Sequence, residues 1–182
     1  MEPIARRDDA VLRYCRETDL DAVDAIAIAC WTPIFASYEE MFGPVMYEQF
    51  HGRRDWRQQK CAQIRDHFRQ VPEQIWVVER GRETIAFVTF IFKSEQSLVQ
   101  IGNNGVRPDQ AGQGWGTFMY RHVLDHCRDR GIRFATVGTG LDVGHAPARR
   151  AYEAVGFNHA VPKVDYWMDL SENRPGSTAR ET

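Results

Sequence analysis

The most informative stretch of the chain reads VRPDQAGQGWGT at residues 106–117. A predicted strand, residues 98–106, leads into it, and a predicted amphipathic helix, residues 117–130, leaves it. The first turn of a helix has unpaired N–H groups and a positive dipole end, and glycines let an anion approach the backbone closely. The stretch therefore predicts a loop that binds a phosphate or pyrophosphate, with a structural glycine turn as the alternative.

Two common nucleotide-binding motifs fit this loop poorly. The triphosphate-binding loop places Lys and then Ser or Thr after its last glycine, and Trp115 and Gly116 follow Gly114 here. The dinucleotide motif has the spacing GxGxxG early in a βαβ unit, whereas the spacing here is GxGxG and the loop follows a predicted antiparallel meander. The ligand is therefore expected to be a different phosphate compound.

A second stretch, HAPARRAYEAVGF at residues 145–157, reads as a short helix with Pro147 at its start and Gly156 just past its end. Together the two stretches closely resemble the GCN5-related N-acetyltransferase (GNAT) superfamily. That family shows V-x-P-x-x-[RQ]-G-x-G-x-[GA], followed about thirty residues later by N-x-x-A-x-x-x-Y-x-x-x-G-F. The resemblance is specific over residues 98–157, and over residues 11–97 only the order of helices and strands agrees.

The resemblance implies a fold and an activity. The fold would be α/β (α+β), with a mostly antiparallel mixed sheet of six to seven strands, splayed middle strands and about four flanking helices. The activity would be direct transfer of an acetyl group from acetyl-CoA to a primary amine, expected to belong to a small molecule. A protein N-terminus or lysine remains an alternative acceptor. A non-catalytic acyl-CoA-binding regulatory module is the alternative from a different class.

The resemblance also implies roles for individual residues by position. Tyr152 would face the thioester sulfur and donate a hydrogen bond to the CoA thiolate. The pantetheine arm would pair with the backbone of Gly105 and Val106, and His145 stands where Asn usually contacts the cofactor. The residues expected to cradle the pyrophosphate are Gly112, Gln113, Gly114, Trp115, Gly116 and Thr117.

The sequence departs from the family pattern where a proton acceptor is expected. Gln100 stands where one branch has a basic glutamate, and residues 134–139 carry no carboxylate. Ala111 also replaces the usual Arg or Gln of the loop. Asn103 and Asn104 could hold a water in the cleft, and Asn104 is predicted to be catalytic. The carboxylates predicted as candidate bases are Asp142 and Glu40.

Apolar periodicity predicts the remaining elements within one domain, residues 1–170, followed by a polar tail, 171–182, that is expected to be disordered. The predicted helices are residues 22–31, ended or kinked at Pro33, residues 37–50, broken at Gly43-Pro44, and residues 55–68. The other predicted strands are residues 11–15, 75–79, 84–92, 134–139 and 163–170. The aromatic residues Trp31, Phe35, Tyr38 and Phe42 are expected either to line the acceptor pocket or to belong to the core.

Composition narrows the partners. The formal net charge of -2 gives no reason to expect binding to nucleic acid or a membrane, and no stretch is expected to approach the length of a membrane span. Four widely spaced cysteines predict reduced thiols in a cytoplasmic protein. No metal site is predicted, since His122 and His126 have no third ligand in view. The resemblance is compatible with a homodimer.

Overall fold

A computed structural model of the chain describes residues 2–53 and 55–171. The residues predicted as a disordered tail therefore lie outside the described part, apart from Ser171. The strands are β1 (Ala5–Arg7), β2 (Ala10–Tyr14), β3 (Ile75–Arg80), β4 (Glu83–Lys93), β5 (Leu98–Val106) and β6 (Phe134–Val137). The helices are α1 (Leu20–Tyr47), α2 (Trp56–Gln70), α3 (Trp115–Asp129) and α4 (Ala146–Ala154).

The six strands form one mixed sheet in the order of the sequence, β1-β2-β3-β4-β5-β6. The first five pair antiparallel, and β6 joins β5 in parallel. A parallel neighbour needs a crossover connection, and α3 supplies it. The predicted meander and mixed GNAT-type sheet with flanking helices are confirmed.

The sheet has helices on both faces. Trp76, Val88 and Ile101 belong to a core with Met119 and Val123 of α3 on one face. On the other face, Val77 and Phe87 pack with Val23 and Ile26 of α1 and Ile64 of α2. Because successive strand residues point to opposite faces, a strand covered on both sides must be apolar throughout, which accounts for the sequence IWVV at the start of β3.

A β-bulge bends β5 in its middle. Val88 of β4 pairs with Asn104 and Phe90 pairs with Ile101, so Thr89 alone opposes two residues of β5, Gly102 and Asn103. The Thr89 hydroxyl donates to the Asn103 carbonyl across 3.0 Å. Pairing of β5 with β6 stops at Ile101, immediately before the bulge. The bulge therefore marks the point where the strands splay, since a bulged strand bends away from its former direction.

The bulge also changes which residues share a face. Val99 and Ile101 belong to the core beneath α3, and so does Val106, five residues after Ile101. A Cβ on Gly105 would instead meet Ile26 and Cys30 of α1. The alternation is thus shifted by one residue at the bulge, and Asn104 rather than Asn103 continues the face that packs on α3.

Two features of the N-terminal half differ from the sequence prediction. Strand β1 is an additional strand that the sequence pattern did not indicate. The two helices predicted at residues 22–31 and 37–50 form one element, α1, which continues through Pro33. A proline inside a helix removes only the hydrogen bond to the carbonyl four residues earlier, here Ala29, and packing on the sheet offsets that loss. The predicted break at Gly43-Pro44 is confirmed as a kink with φ of 70° at Gly43.

The strand predicted at residues 163–170 is wrong. This segment pairs with no strand of the described chain, and Tyr166 is 92% exposed. Its Trp167 packs instead on Phe42 and Phe50, with ring centroids 5.3 and 4.8 Å apart. Alternating apolar residues stabilise a strand only where a partner strand is available, so aromatic contacts with the helical half replace sheet pairing here.

The expectation that no stretch would approach the length of a membrane span is also wrong. The helical region 17–70 contains an 18-residue window of mean hydropathy 1.4, enough to cross a membrane by length and composition alone. In the fold, α1 buries Val23, Ile26 and Ala27 on the sheet. A helix that packs on a core needs the same apolar composition.

Replacing Gly102 by Ala tests the bulge. A Cβ at this position would lie 2.7 Å from the hydroxyl oxygen of the buried Thr89. We expect Gly102→Ala to lower the free energy of unfolding by about 1–3 kcal/mol, the usual cost of overpacking, as measured by urea denaturation.

The matched control for this substitution is Gly138→Ala, because a Cβ on Gly138 meets nothing within 4 Å. We expect Gly138→Ala to change stability by less than about 0.5 kcal/mol. In a Thr89→Ala background, Gly102→Ala should lose most of its additional effect, because the clashing hydroxyl is gone. Equal effects of the two glycine substitutions would contradict the role of the bulge.

Candidate functional site

The splayed strands open onto a cavity of about 900 Å³. Its walls come from α1 (residues 29–34), β5 (residues 100–106), the glycine-rich loop (residues 111–117) and the segment 144–152. Gln113 and the two candidate bases, Asp142 and Glu40, lie outside the lining of this cavity, and all the other residues predicted to bind cofactor or to act in catalysis line it. The side chain of Gln113 is exposed, and its backbone carbonyl accepts a hydrogen bond of 2.8 Å from Arg7 of β1.

The glycine-rich loop presents the N-terminus of α3 to the cavity. Gly112 and Gly114 have φ of 76° and 79°, a left-handed conformation that glycine adopts without steric cost. Gly114 is the N-cap residue of α3 and provides no capping side chain, while Gly116 and Thr117 of the first turn line the cavity. Unpaired N–H groups and the positive helix end therefore face the space where a pyrophosphate would bind.

Trp115 fixes the glycine-rich loop to the core through its buried side chain. Its side chain is 3% exposed, and the Arg7 guanidinium lies over its ring, 4.5 Å from the centroid. The indole N–H is buried and has no hydrogen-bond partner among the residues that the structure describes. A buried donor without a partner is unfavourable, so the unpaired indole N–H is a cost of burying Trp115 under the loop.

Two tyrosines and an asparagine form a hydrogen-bonded array on the cavity floor. Tyr120 of α3 donates to Oδ1 of Asn104 across 2.6 Å, and Nδ2 of Asn104 donates to the Tyr152 hydroxyl across 3.1 Å. Nδ2 also donates to the Gly102 carbonyl across 2.9 Å. Protein groups thus occupy both amide hydrogens of Asn104, which positions Tyr152 rather than holding a water, and the Tyr152 hydroxyl keeps its own proton for a ligand.

Burial keeps both phenols of this array protonated. Desolvation raises the pKa of Tyr152, and this outweighs the hydrogen bonds from Asn104 and Tyr120, which act in the opposite direction. Desolvation likewise raises the pKa of Tyr120, and the neighbouring Tyr152 adds to the effect. At neutral pH Tyr152 is therefore a hydrogen-bond donor and not a base.

A histidine and an aspartate form a pair at the opposite wall. Nδ1 of His145 lies 2.6 Å from Oδ2 of Asp142, and both side chains are less than one-fifth exposed. Burial raises the pKa of Asp142, but the hydrogen bond and charge of His145 outweigh it and the pKa is lowered overall. With Asp142 ionised, Nδ1 of His145 carries the hydrogen of this bond, and in the neutral form of the imidazole Nε2 is the nitrogen with the lone pair.

Arg149 holds this pair in place. Its guanidinium donates to the carbonyl oxygens of Gly140 and Asp142, at 2.5 and 2.9 Å. The other predicted carboxylate, Glu40, is exposed on α1 and lies away from the lining residues of the cavity. Of the two carboxylates, Asp142 is therefore the one associated with the site.

The α1 and α2 side of the cavity carries Cys30, Trp31 and Lys60. The Cys30 thiol donates to the Val106 carbonyl across 3.3 Å, and burial raises its pKa. Of the four aromatic residues predicted for the acceptor pocket or the core, Trp31 lines the main cavity. Phe35 stacks on Trp56 at 4.2 Å and lines an adjoining pocket of about 80 Å³.

The other two aromatic residues, Tyr38 and Phe42, stack on His51.

Sequence reasoning missed two residues of the site, Tyr120 and Lys60. Tyr120 belongs to the apolar face of α3, where an aromatic residue is typical of core packing. Lys60 lies in a helix of mostly polar residues, RQQK at 57–60, and no local pattern distinguishes its ammonium from the solvated side chains around it.

Comparison with known proteins agrees with this geometry. The model of the acetyltransferase (GNAT) family matches residues 31–157. Among curated proteins, the ribosomal protein bS18 alanine N-acetyltransferase of Escherichia coli K12 is 29% identical over 91 residues. That match covers 50% of this chain and 58% of the relative, so the chain spans little more than half the length of the curated relatives it matches.

Solved structures share the fold over most of the chain. Ard1 from Thermoplasma volcanium has a TM-score of 0.63 at 19% identity, covering 85% of this chain and 86% of that one. An acetyltransferase from Clostridium acetobutylicum, solved with acetyl-CoA, has a TM-score of 0.56 at 16% identity, covering 90% and 98%. At these identities the likeness concerns the fold.

Gly114→Ala tests the predicted pyrophosphate cradle. An alanine in the left-handed conformation costs about 1–2 kcal/mol, and its Cβ would also lie 3.4 Å from the Arg7 guanidinium. The loop would relax to another conformation, and its return to the conformation that binds CoA would require the same free energy. We expect the dissociation constant for CoA, measured by calorimetry, to rise about 5- to 30-fold.

Gly131→Ala is the matched control, because Gly131 has φ of 70° and open space around it at the other end of α3. It carries a similar backbone penalty without contact with the loop, and CoA affinity should stay unchanged. Equal CoA affinity of the Gly114→Ala variant and the original chain would refute the cradle.

Proposed function

The chain belongs to the acetyltransferase (GNAT) family, and we propose that it transfers an acetyl group from acetyl-CoA to a primary amine of a small molecule. The observation that carries this proposal is the array of Tyr120, Asn104 and Tyr152 beside the N-terminus of α3. It presents a protonated phenol to the same cavity as the phosphate-binding loop. A thioester whose pyrophosphate lies on the loop would have its sulfur within the reach of Tyr152.

The leaving group requires a donor of this kind. When the amine nitrogen attacks the thioester carbon and the C–S bond breaks, negative charge collects on the sulfur. Full proton transfer from a phenol of ordinary pKa about 10 to a thiolate of about 8.5 is uphill by about 2 kcal/mol. Tyr152 therefore stabilises the thiolate mainly by donating a hydrogen bond, and the raised pKa of its buried phenol agrees with that role.

The attacking amine must lose its proton. For a lysine-like amine at pH 7 the neutral form costs about 4.6 kcal/mol. The ionisable side chains that line the cavity include Cys30, Tyr120 and Tyr152, whose pKa values burial raises, and two cations, Lys60 and Arg150. None of these is suited to accept a proton at neutral pH.

His145 fills this gap. Asp142 fixes the tautomer that leaves Nε2 of its imidazole free to accept a proton. We infer that Nε2 takes the proton of the amine, directly or through one water. Asp142 acts as a positioning residue and stabilises the imidazolium that forms.

A protein N-terminus is the second candidate acceptor. The curated relatives that match this chain are alanine N-acetyltransferases of a ribosomal protein. The small molecule is favoured because the adjoining pocket on the acceptor side, lined by Phe35 and Trp56, has a volume of only about 80 Å³, and because the cation of Lys60 lines both cavities. Release of CoA thiol with a panel of small amines and of peptides bearing free N-termini separates the two acceptors.

Tyr152→Phe tests the leaving-group role. Loss of one hydrogen bond to a developing thiolate should lower kcat about 10- to 100-fold, with the KM for acetyl-CoA changed less than about twofold. Tyr166→Phe makes the same chemical change at a side chain that is 92% exposed, and it should leave both constants unaltered. An unchanged kcat in the Tyr152→Phe variant would remove Tyr152 from the mechanism.

His145→Asn tests the proton acceptor against the cofactor contact that the family resemblance implies. Asparagine keeps a donor and an acceptor for the cofactor but cannot take a proton. We expect kcat to fall about 100-fold while CoA affinity is retained.

Glu40→Gln serves as the control, since it removes an exposed carboxylate of α1 and should leave kcat unchanged. Full activity of the His145→Asn variant would leave His145 with the cofactor contact alone.

A further inference from the structure

Lys60 of α2 places a cation between the two cavities of the helical half. It lines both the main cavity and the adjoining pocket of about 80 Å³. Its Nζ donates to Oδ1 of Asn103 across 3.1 Å and to Oε1 of Gln63 across 3.2 Å. It also lies over the ring of Trp31, 4.7 Å from the centroid. All three partners are neutral.

Two other cations of α2 have acidic partners. Arg65, five residues further along α2, pairs with Asp21 at 2.6 Å and Asp24 at 2.7 Å, and Arg69 pairs with Asp66. Within residues 2–53 and 55–171, Lys60 forms no ion pair with a carboxylate. Burial lowers the pKa of its ammonium, and no charged neighbour offsets the desolvation.

A half-buried ammonium with only neutral partners is electrostatically unsatisfied. Removing a charge from water costs free energy that an amide oxygen or an aromatic face recovers only in part. A ligand anion that entered the cavity would supply the missing counter-charge and make a charge-assisted hydrogen bond. The arrangement therefore favours an anionic ligand group beside Nζ.

The β-bulge decides which ligand this anion belongs to. Asn104 faces the α3 side and bonds Tyr152, while the neighbouring Asn103 bonds Lys60 of α2. Lys60 and Tyr152 thus contact successive residues of β5 from opposite sides of the sheet, at the opening between β5 and β6. CoA phosphates are expected at the α3 terminus, so the anion beside Lys60 belongs to the acceptor.

We propose that Lys60 binds a carboxylate of the acceptor, and that the acceptor is an amine with a carboxylate a few bonds from its nitrogen. The proposal rests on the proposed acetyl transfer and specifies the class of its acceptor. A carboxylate matches one ammonium in charge, and the amide Nδ2 of Asn103 offers it a second donor. A peptide N-terminus has a neutral amide at the equivalent distance, so Lys60 would favour a free amino acid over a peptide.

The test compares amino acids with their α-amides as acceptors, including β-alanine and 4-aminobutyrate with theirs. For each pair, kcat/KM is measured by release of CoA thiol, and the ratio of acid to amide is compared among the original chain, Lys60→Met and Lys60→Arg. We expect Lys60→Met to lower this ratio about 10- to 100-fold, the loss of one charge-assisted hydrogen bond, and Lys60→Arg to retain most of it. Using ratios removes the difference in basicity between acids and amides.

Arg69→Met is the matched control, because it removes one exposed positive charge from the same helix. It should leave the ratio unchanged. A Lys60→Met variant that loses activity equally on acids and amides would show a structural role and overturn the proposal. An acid-to-amide ratio that is the same in the original chain and in Lys60→Met would also overturn the proposal. The acetyltransferase activity itself would still stand in that case.

A binding measurement covers the case in which turnover is slow. N-acetyl amino acids and N-acetyl amino amides are titrated into the CoA-saturated protein by calorimetry. Tighter binding of the acids, lost in Lys60→Met, supports the proposal without any chemical step. Acids that bind no better than amides overturn it. Absence of acetyl-CoA binding and of thiol release with every amine would instead refute the proposed function.

Discussion

The hydrogen bond from the Thr89 hydroxyl to the Asn103 carbonyl fixes a bulge on which the rest of the site depends. At that point one residue of β4 opposes two of β5, and pairing with β6 has just ended. The bend opens the cleft, and the extra residue changes which face each later side chain occupies. A glycine at position 102 is required because a Cβ would collide with the same hydroxyl. One local irregularity thus creates both the space for a ligand and the residues that face it.

The bulge divides the cleft into two chemically different halves. On the α3 and α4 side, helix N–H groups and the Tyr152 phenol are the hydrogen-bond donors proposed for an anionic cofactor and a thiolate. On the α1 and α2 side, Lys60 and Trp31 form a smaller, partly aromatic site. Consecutive asparagines serve both halves, and the one-residue shift at the bulge sets which of the two faces each half. The two substrates would therefore meet at the strand opening, with the developing negative charge on the side rich in donors.

Sequence patterns predicted the parts of the molecule whose physics is local. A glycine-rich helix start and a short helix bounded by Pro147 and Gly156 are encoded by neighbouring residues, and the structure places them as expected. Long-range competition decided the features that were missed. Helix α1 tolerates Pro33 because its apolar face packs on the sheet, and Trp167 packs on Phe42 rather than completing a strand. Lys60 and Tyr120 become functional only through contacts with Asn103 and Asn104, more than a dozen residues away along the chain.

The proposal of His145 as proton acceptor rests in part on what the strands lack. Relatives with a basic carboxylate would have it on β5 or β6, whereas these strands have Gln100 and no acid over residues 134–139. The cavity then has one wall left that combines a titratable nitrogen with a fixed counter-charge, the loop of Asp142 and His145. Arg149 belongs to α4, the helix that carries Tyr152, and its guanidinium donates hydrogen bonds to two carbonyl oxygens of that loop. The proposed base on the loop and the Tyr152 hydroxyl, three residues beyond Arg149, are thus held by one short helix, which would set the geometry of proton removal from the amine and of the hydrogen bond to the thiolate.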